Sequence, residues 1–318
     1  MTGMKSTAVI FAAVFVTTLL TATATSADNY TRTSDVIYGR KHGVALTMDV
    51  FRPKGNPNGA GLIYVISGGW FSAHRAINVK FAQEFLDRGY TVFAVVHGSQ
   101  PKYAIPEIVS DMHRAVRFIR HNAKTYGVDP QRLGIYGGSA GGHLSCMIGT
   151  AGTAGTKDAR DPVERASSRV QAVACFFPPT DFLNYGEEGK NALGSGVLKN
   201  FRAPFDFKTF DRKTRAFVRI TDENRRNAIG KAISPVYHVS KDDPPTLIIH
   251  GDADRLVPIQ QSKLLIEKLK QNGVTAKLIV KKGAGHGWGD LLKDVPPLAD
   301  WFDEHLAKRN AASKSKRP

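Results

Sequence analysis

Cysteine is nearly absent. Cys146 and Cys175 are the only two in 318 residues, too few for a disulfide scaffold or a structural zinc site. Each sits in an apolar segment, which favours two buried free thiols, although export would permit them to pair. Acidic residues are also scarce, 28 against 44 lysines and arginines, for a formal net charge of +16. Such an excess serves solubility or attracts an acidic polymer or surface. No nucleic-acid recognition motif accompanies it, which argues against a nucleic-acid partner. Long apolar runs are missing beyond the first residues, and no cluster of His, Cys and carboxylates has metal-ligand spacing. A metal site is therefore not expected, and no cofactor is required. Internal repeats are absent too.

The N-terminal residues differ from the rest. Lys5 is the only charge before Asp28, and Ala8 to Leu20 is apolar apart from Thr17 and Thr18. That run is short against the roughly 20 residues of a membrane span. Small residues follow, with Ala22-Thr23-Ala24 and Thr25-Ser26-Ala27 as candidate cleavage sites. Residues 1–27 thus have the layout of a secretory signal peptide. The expectation is a secreted or periplasmic protein with no stable membrane insertion after cleavage. Residues 308–318 form a basic tail expected to be disordered. Between them, residues 28–307 read as one domain.

Strand-like and helix-like segments alternate through that domain. Gly43–Phe51, Leu62–Ile66, Thr91–Val96, Leu133–Tyr136, Val170–Phe177, Thr246–His250 and Ala276–Val280 read as strands. Val79–Arg88, Ile108–Tyr126, Ala140–Ile148, Ile259–Leu269 and Leu298–Ala307 read as helices. This alternation predicts an α/β fold with a mostly parallel sheet covered on both faces. Ligands are then expected beyond the C-terminal ends of the strands. Residues 182–231 interrupt the pattern with 11 basic and 6 acidic side chains and five phenylalanines from Phe201 to Phe217. The stretch is too long for a plain connection. It reads as an insertion over the sheet edge, either a partial lid or ordinary packing.

The strongest local signal is Gly137-Gly138-Ser139-Ala140-Gly141-Gly142, between an apolar strand and a helix. A G-x-S-x-G in that context is a nucleophile elbow. The turn is tight, the glycines let strand and helix approach, and the serine Oγ stands above the sheet at the positive end of a helix. A Gly-rich turn can also bind phosphate, but the lysine of a P-loop and the spacing of a dinucleotide fingerprint are absent. A serine nucleophile needs a base, and the base needs orientation. Two loops after strands supply candidates: His250-Gly251-Asp252-Ala253-Asp254 and Gly283-Ala284-Gly285-His286-Gly287-Trp288. Ser139, Asp254 and His286 occur in the Ser–Asp–His order of α/β-hydrolases. The catalytic assignment is therefore Ser139 as nucleophile, His286 as base and Asp254 as orienting acid, with Asp252 as the fallback acid.

These motifs resemble the esterase/lipase branch of the α/β-hydrolase superfamily, which includes hormone-sensitive-lipase-like, acetyl-xylan and feruloyl esterases. The resemblance runs from about residue 34 to 307 and implies the α/β-hydrolase fold. It extends to Asp129-Pro130, to His143-Leu144 after the elbow and to Ser234-Pro235. It also implies that the second aspartate of H-G-D-x-D-x-x-V-P, Asp254, is the acid. Two departures stand out. Where that branch carries H-G-G-G followed often by Trp, this chain has Ile66-Ser67-Gly68-Gly69-Trp70. Gly68 and Gly69, with Ala140, remain as oxyanion donors, but the loop loses the histidine that supports it. After Thr91–Val96, where Tyr-Arg is frequent, stands His97-Gly98-Ser99-Gln100-Pro101.

The function expected is a serine esterase acting through an acyl-enzyme on a small-molecule or glycan ester outside the cytoplasm. Trp70 and Phe71, directly after the oxyanion glycines, are expected to line the substrate pocket and to favour short acyl groups of acetyl or feruloyl type. The alternatives are a lipase, if the phenylalanine-rich insertion forms an apolar lid, and a serine exopeptidase of prolyl-oligopeptidase type. The exopeptidases usually carry an N-terminal propeller, for which little chain precedes the hydrolase region, and the oxyanion loop looks like the esterase branch. A non-catalytic binding protein on this fold is the remaining alternative; such proteins have typically lost a member of the triad.

Overall fold

The computed structural model describes residues 29–306. The expectations for residues 1–27 and 308–318 lie outside the described residues. Ten strands and six α-helices follow one another as β1 (Tyr30–Lys41), β2 (Val44–Pro53), β3 (Gly61–Ile66), α1 (Lys80–Asp87), β4 (Thr91–Val96), α2 (Ile105–His121), β5 (Leu133–Gly138), α3 (Ala140–Ala151), β6 (Ala172–Phe176), β7 (Lys208–Asp211), β8 (Ala216–Arg219), α4 (Glu223–Ala232), β9 (Thr246–Gly251), α5 (Gln260–Gln271), β10 (Ala276–Lys281) and α6 (Val295–Leu306). Eight of the strands form one sheet in the order β1-β2-β4-β3-β5-β6-β9-β10. Only the pairings of β2 with β1 and β4 are antiparallel; all others are parallel. The mostly parallel sheet expected from the alternation is therefore present.

Continuous apolar runs make the central strands. Leu62, Ile63, Val92, Phe93, Ile135, Val173 and Ile248 are fully buried, as strands covered on both faces require. On one face, α1 and α6 pack Phe85, Leu86, Leu298 and Phe302 against Leu62, Tyr136 and Ile249. On the other, α2 and α3 pack Ile108, Met112, Leu144 and Ile148 against Ile63, Val95 and Ile135. Leu265 and Leu269 of α5 join Cys146, Cys175 and Ile248 there. The two thiols are buried and free, with their sulfurs 3.6 Å apart.

The 182–231 stretch contains short 3-10 turns, the β7–β8 hairpin and α4. Phe182, Phe205, Phe207 and Ile220 from it join the core beside Trp70. Among the described residues, no helix is long and apolar enough to cross a membrane.

Candidate active site

The parallel strands β5, β9 and β10 end at the same edge of the sheet, and each carries one candidate residue just beyond its last residue. After β5, Ser139 takes φ 54° and ψ −119° before α3 begins at Ala140. A non-glycine residue at positive φ is strained. The strain is held because helix and strand are almost in contact: a Cβ on Gly137 would stand 2.7 Å from the Gly141 backbone, and one on Gly141 would stand 2.9 Å from the Val65 carbonyl oxygen.

His286, in the loop after β10, bridges the other two. Its Nε2 lies 2.9 Å from Ser139 Oγ and its Nδ1 2.7 Å from Asp254 Oδ2. The carboxylate accepts only, so Nδ1 carries the proton and Nε2 is free to accept from the serine hydroxyl. Asp254 is buried and well served. Its Oδ1 accepts the N–H groups of Leu256 and Val257 at 2.9 and 2.8 Å. Its Oδ2 also receives Nε2–H of His250 at 3.2 Å. Burial alone would raise this carboxyl, but the bonds from His250, His286 and Val257 outweigh it and hold the group well below the usual carboxylate range. Asp252 does not reach His286; it is exposed and accepts the Gly283 N–H at 2.6 Å, tying the acid's loop to the histidine's loop.

His250, to which the sequence analysis gave no role of its own, contributes as well. Its Nδ1 lies 2.6 Å from Ser262 Oγ, and its Nε2–H is shared between Asp254 and the Val257 carbonyl oxygen. It thereby orients the acid from behind. The only available signal was its place in the same His-Gly-Asp-x-Asp run.

The oxyanion loop corrects two expectations. The Gly68 N–H donates to the Phe71 carbonyl oxygen at 3.0 Å, and the Phe71 N–H returns to Gly68 at 2.9 Å. Gly68 is thus committed to the loop's own bridge, because Trp70 at φ 61° and Gly69 at φ 55° fold the chain back on itself. The N–H groups of Gly69 and Ala140 have no backbone acceptor among the described residues. Trp70 does not line the pocket. It is 2% exposed, packs on Phe182 and Phe205, and donates Nε1–H to Nδ1 of buried His143 at 3.1 Å. Phe71 does reach the site and is 40% exposed.

The support lost with the missing histidine comes from the second departure. Nδ1 of His97 lies 2.8 Å from the Gly98 carbonyl oxygen, so Nε2 accepts from the Ser67 hydroxyl at 2.9 Å. Ser72 Oγ donates to the Ile66 carbonyl at 2.6 Å and accepts the His97 N–H at 3.2 Å. Gln100 N–H reaches the Trp70 carbonyl at 3.2 Å. Asp111, itself paired with Lys41 at 2.7 Å, accepts the Gly98 N–H at 2.9 Å. Burial lowers both histidines of this brace, His97 and His143, to about 4, so both are neutral at ordinary pH.

Ser139 opens onto a cavity of about 370 Å³ that runs down between the sheet and helices α1 and α6. Its wall is apolar and largely aromatic, with Phe71, Phe81, Phe85, Tyr136, Phe177 and Leu298. Phe177 also packs on the His286 ring, with centroids 4.7 Å apart.

The BD-FAE sequence model matches residues 48–269, which include the nucleophile elbow and the acid. The chain belongs to the BD-FAE family. A dienelactone hydrolase family model matches residues 227–312 of this BD-FAE member, across the acid and the histidine. Among curated relatives, the probable carboxylic ester hydrolase LipM of Mycobacterium tuberculosis is 29% identical over 247 residues, 76% of this chain and 53% of LipM. Esterase LipC of the same organism is 27% identical over 267 residues, 83% of this chain and 61% of LipC. The chain therefore spans only about half to three-fifths of the length of these relatives. Similar solved structures include a truncated carbohydrate esterase from gut microbiota, with TM-score 0.69 and 27% identity over 89% of this chain and 99% of that one. Esterase 2 of Thermogutta terrifontis follows at TM-score 0.64 and 26% identity, covering 86% and 94%. The BD-FAE member thus has the α/β-hydrolase fold.

Proposed function

We propose that this chain is a carboxylic ester hydrolase that works through an acyl-enzyme on Ser139. The carrying observation is the hydrogen-bonded line from Ser139 Oγ through His286 to Asp254, at 2.9 and 2.7 Å, at the mouth of an apolar cavity. The names of LipM, LipC and the gut carbohydrate esterase support the same reaction class. Ser139 attacks the ester carbonyl while His286 Nε2 takes its proton. Asp254 holds the imidazole tautomer and stabilises the imidazolium. The N–H groups of Gly69 and Ala140 serve the developing oxyanion. His286 then protonates the leaving alcohol, and water releases the acid by the same path.

The cavity, rather than Trp70, sets the acyl limit. It is larger than an acetyl group needs, and its flat aromatic wall suits a phenylpropenoyl group of feruloyl type as well as acetyl. The signal-like layout of residues 1–27 supports an extracytoplasmic substrate, such as an esterified polysaccharide. The test is a panel of p-nitrophenyl esters from acetate to decanoate with feruloyl esters, run on the wild type and on Ser139→Ala. Wild-type turnover of the acetyl and feruloyl esters is expected, with none in the variant, and with fluorophosphonate labelling abolished. Full labelling of Ser139→Ala would remove the serine mechanism, and a clear preference for decanoate would replace this reading with a lipase.

A further inference from the structure

Among the described residues, the β7–β8 hairpin pairs with no other strand. Phe210 and Phe217 stand opposite each other in its register, with rings 5.5 Å apart, and are 52% and 65% exposed. A lone two-stranded ribbon is marginal in water, and an exposed aromatic pair marks a surface that something covers. Around the pair, Lys208, Arg212, Lys213, Arg215 and Arg219 face a single acid within the hairpin, Asp211.

At the root of the hairpin lies a cavity of about 400 Å³, with Arg202, Arg219, Arg226, Ser195, Phe205 and Ile220 in its wall. Arg219 pairs with Asp206, which also takes Lys208 at 3.1 Å. Arg226 donates to the carbonyl oxygens of Leu193, Phe205 and Ile220 and lies over the Phe207 ring at 5.3 Å. Neither Arg202 nor Arg226 has a carboxylate partner among the described residues. Of the three guanidinium groups, only that of Arg219 has a carboxylate partner among the described residues. This wall also backs the oxyanion loop. Phe205 packs on Trp70 at 5.4 Å, and a Cβ on Gly69 would meet the Phe201 ring, next to Arg202, at 2.6 Å.

We propose that the insertion binds a carboxylate-bearing polysaccharide, a uronate polymer, behind the oxyanion loop. The guanidinium forks receive a uronate carboxylate in the cavity, and the Phe210–Phe217 face covers the apolar side of a neighbouring sugar ring. A bilayer or a nucleic acid would also be drawn to a basic aromatic ribbon. A cavity with Arg202, Arg219 and Arg226 in its wall favours instead a single anionic group that projects from a chain. Positioning of a scissile ester by this site rests on the ester-hydrolase reading; binding does not.

Binding is therefore measured on full-length Ser139→Ala protein, with polygalacturonate and neutral xylan as probes at low and high salt. Retention on polygalacturonate and not on xylan is expected, weakened by salt. Arg202→Glu should lower affinity by roughly tenfold, because it puts a repelled charge where an attracted one stood in the cavity wall. The double variant Phe210→Ser/Phe217→Ser should also weaken binding but keep the salt dependence, both proteins melting as the parent does. Equal retention on xylan, no retention at all, or equally tight binding to phosphatidylglycerol vesicles or single-stranded DNA would overturn the proposal. Failure of the ester-hydrolase reading is seen separately, as absence of p-nitrophenyl acetate turnover by the wild type.

Discussion

Two aspartates two residues apart do different work because of what meets their oxygens. Asp254 gathers two backbone N–H groups and two imidazoles, whereas Asp252 holds the Gly283 N–H at the surface. Asp254→Asn presents an amide in place of the acceptor and leaves His286 in the wrong tautomer. We expect kcat to fall by roughly 10⁴, read in steady-state hydrolysis of p-nitrophenyl acetate. Asp252→Asn keeps the loop tie through its amide oxygen and should cost less than tenfold on the order of one exposed hydrogen bond. A reversed order would move the acid to Asp252. At this scale Ser139, Asp254 and His286 were legible because glycines flank or closely neighbour each and each follows an apolar strand. His250 was not, since a histidine behind an acid and a histidine in a core have the same neighbours in sequence. Trp70 and Gly68 were misplaced for a related reason: two consecutive positive φ values at Gly69 and Trp70 reverse the loop, and no residue type there announces it.

At the scale of elements, the loop before α1 and the loop after β4 form one unit. Neither has the residues common in its branch, yet Ser67 meets His97, and Ser72 joins Ile66 to His97. Ser72→Ala strands a buried carbonyl and a buried N–H together, worth about 1–3 kcal/mol for each group left unpaired. The urea midpoint should drop accordingly. Activity should drop further than stability predicts, because Gly69 sits in the same loop, and equal stability to the wild type would show that the brace is not structural. The central strands were legible from continuous apolar runs. The edge strand β1 was not: Tyr38 is its only buried residue, and register shifts between Thr33 and Val36 and between Ile37 and Gly39 break its alternation. The 182–231 stretch was legible as an interruption, but a four-residue polar strand such as β7 carries too little pattern to be seen.

Across the whole molecule, the brace makes stability sensitive to acid. Burial displaces His97 and His143 from 6.5 to about 4, and His113 likewise. The folded pKa is the lower one, so between pH 6.5 and 4 the unfolded chain binds more protons than the folded chain. Stability therefore falls as pH drops through that window and is fully present above it. His97 and His143 are almost wholly buried, and each accounts for on the order of 3 kcal/mol at the acid end. Asp111 and Asp243, raised by burial, act in the opposite sense, but they are two groups against four histidines, since burial lowers His305 as well. Asp254, held low, adds its own loss only once pH falls below the ordinary carboxylate range. Against a total of roughly 5–15 kcal/mol for a folded domain, the histidines remove a large share. The urea midpoint measured at intervals from pH 7.5 down to 4.5 should decline steadily, with most of the loss below pH 6. His143→Gln, which can still accept from Trp70 and donate to Ile233, should flatten that decline by about one histidine's contribution while lowering stability little at pH 7.5. A decline of the same steepness in the variant would show that His143 does not contribute to the acid sensitivity.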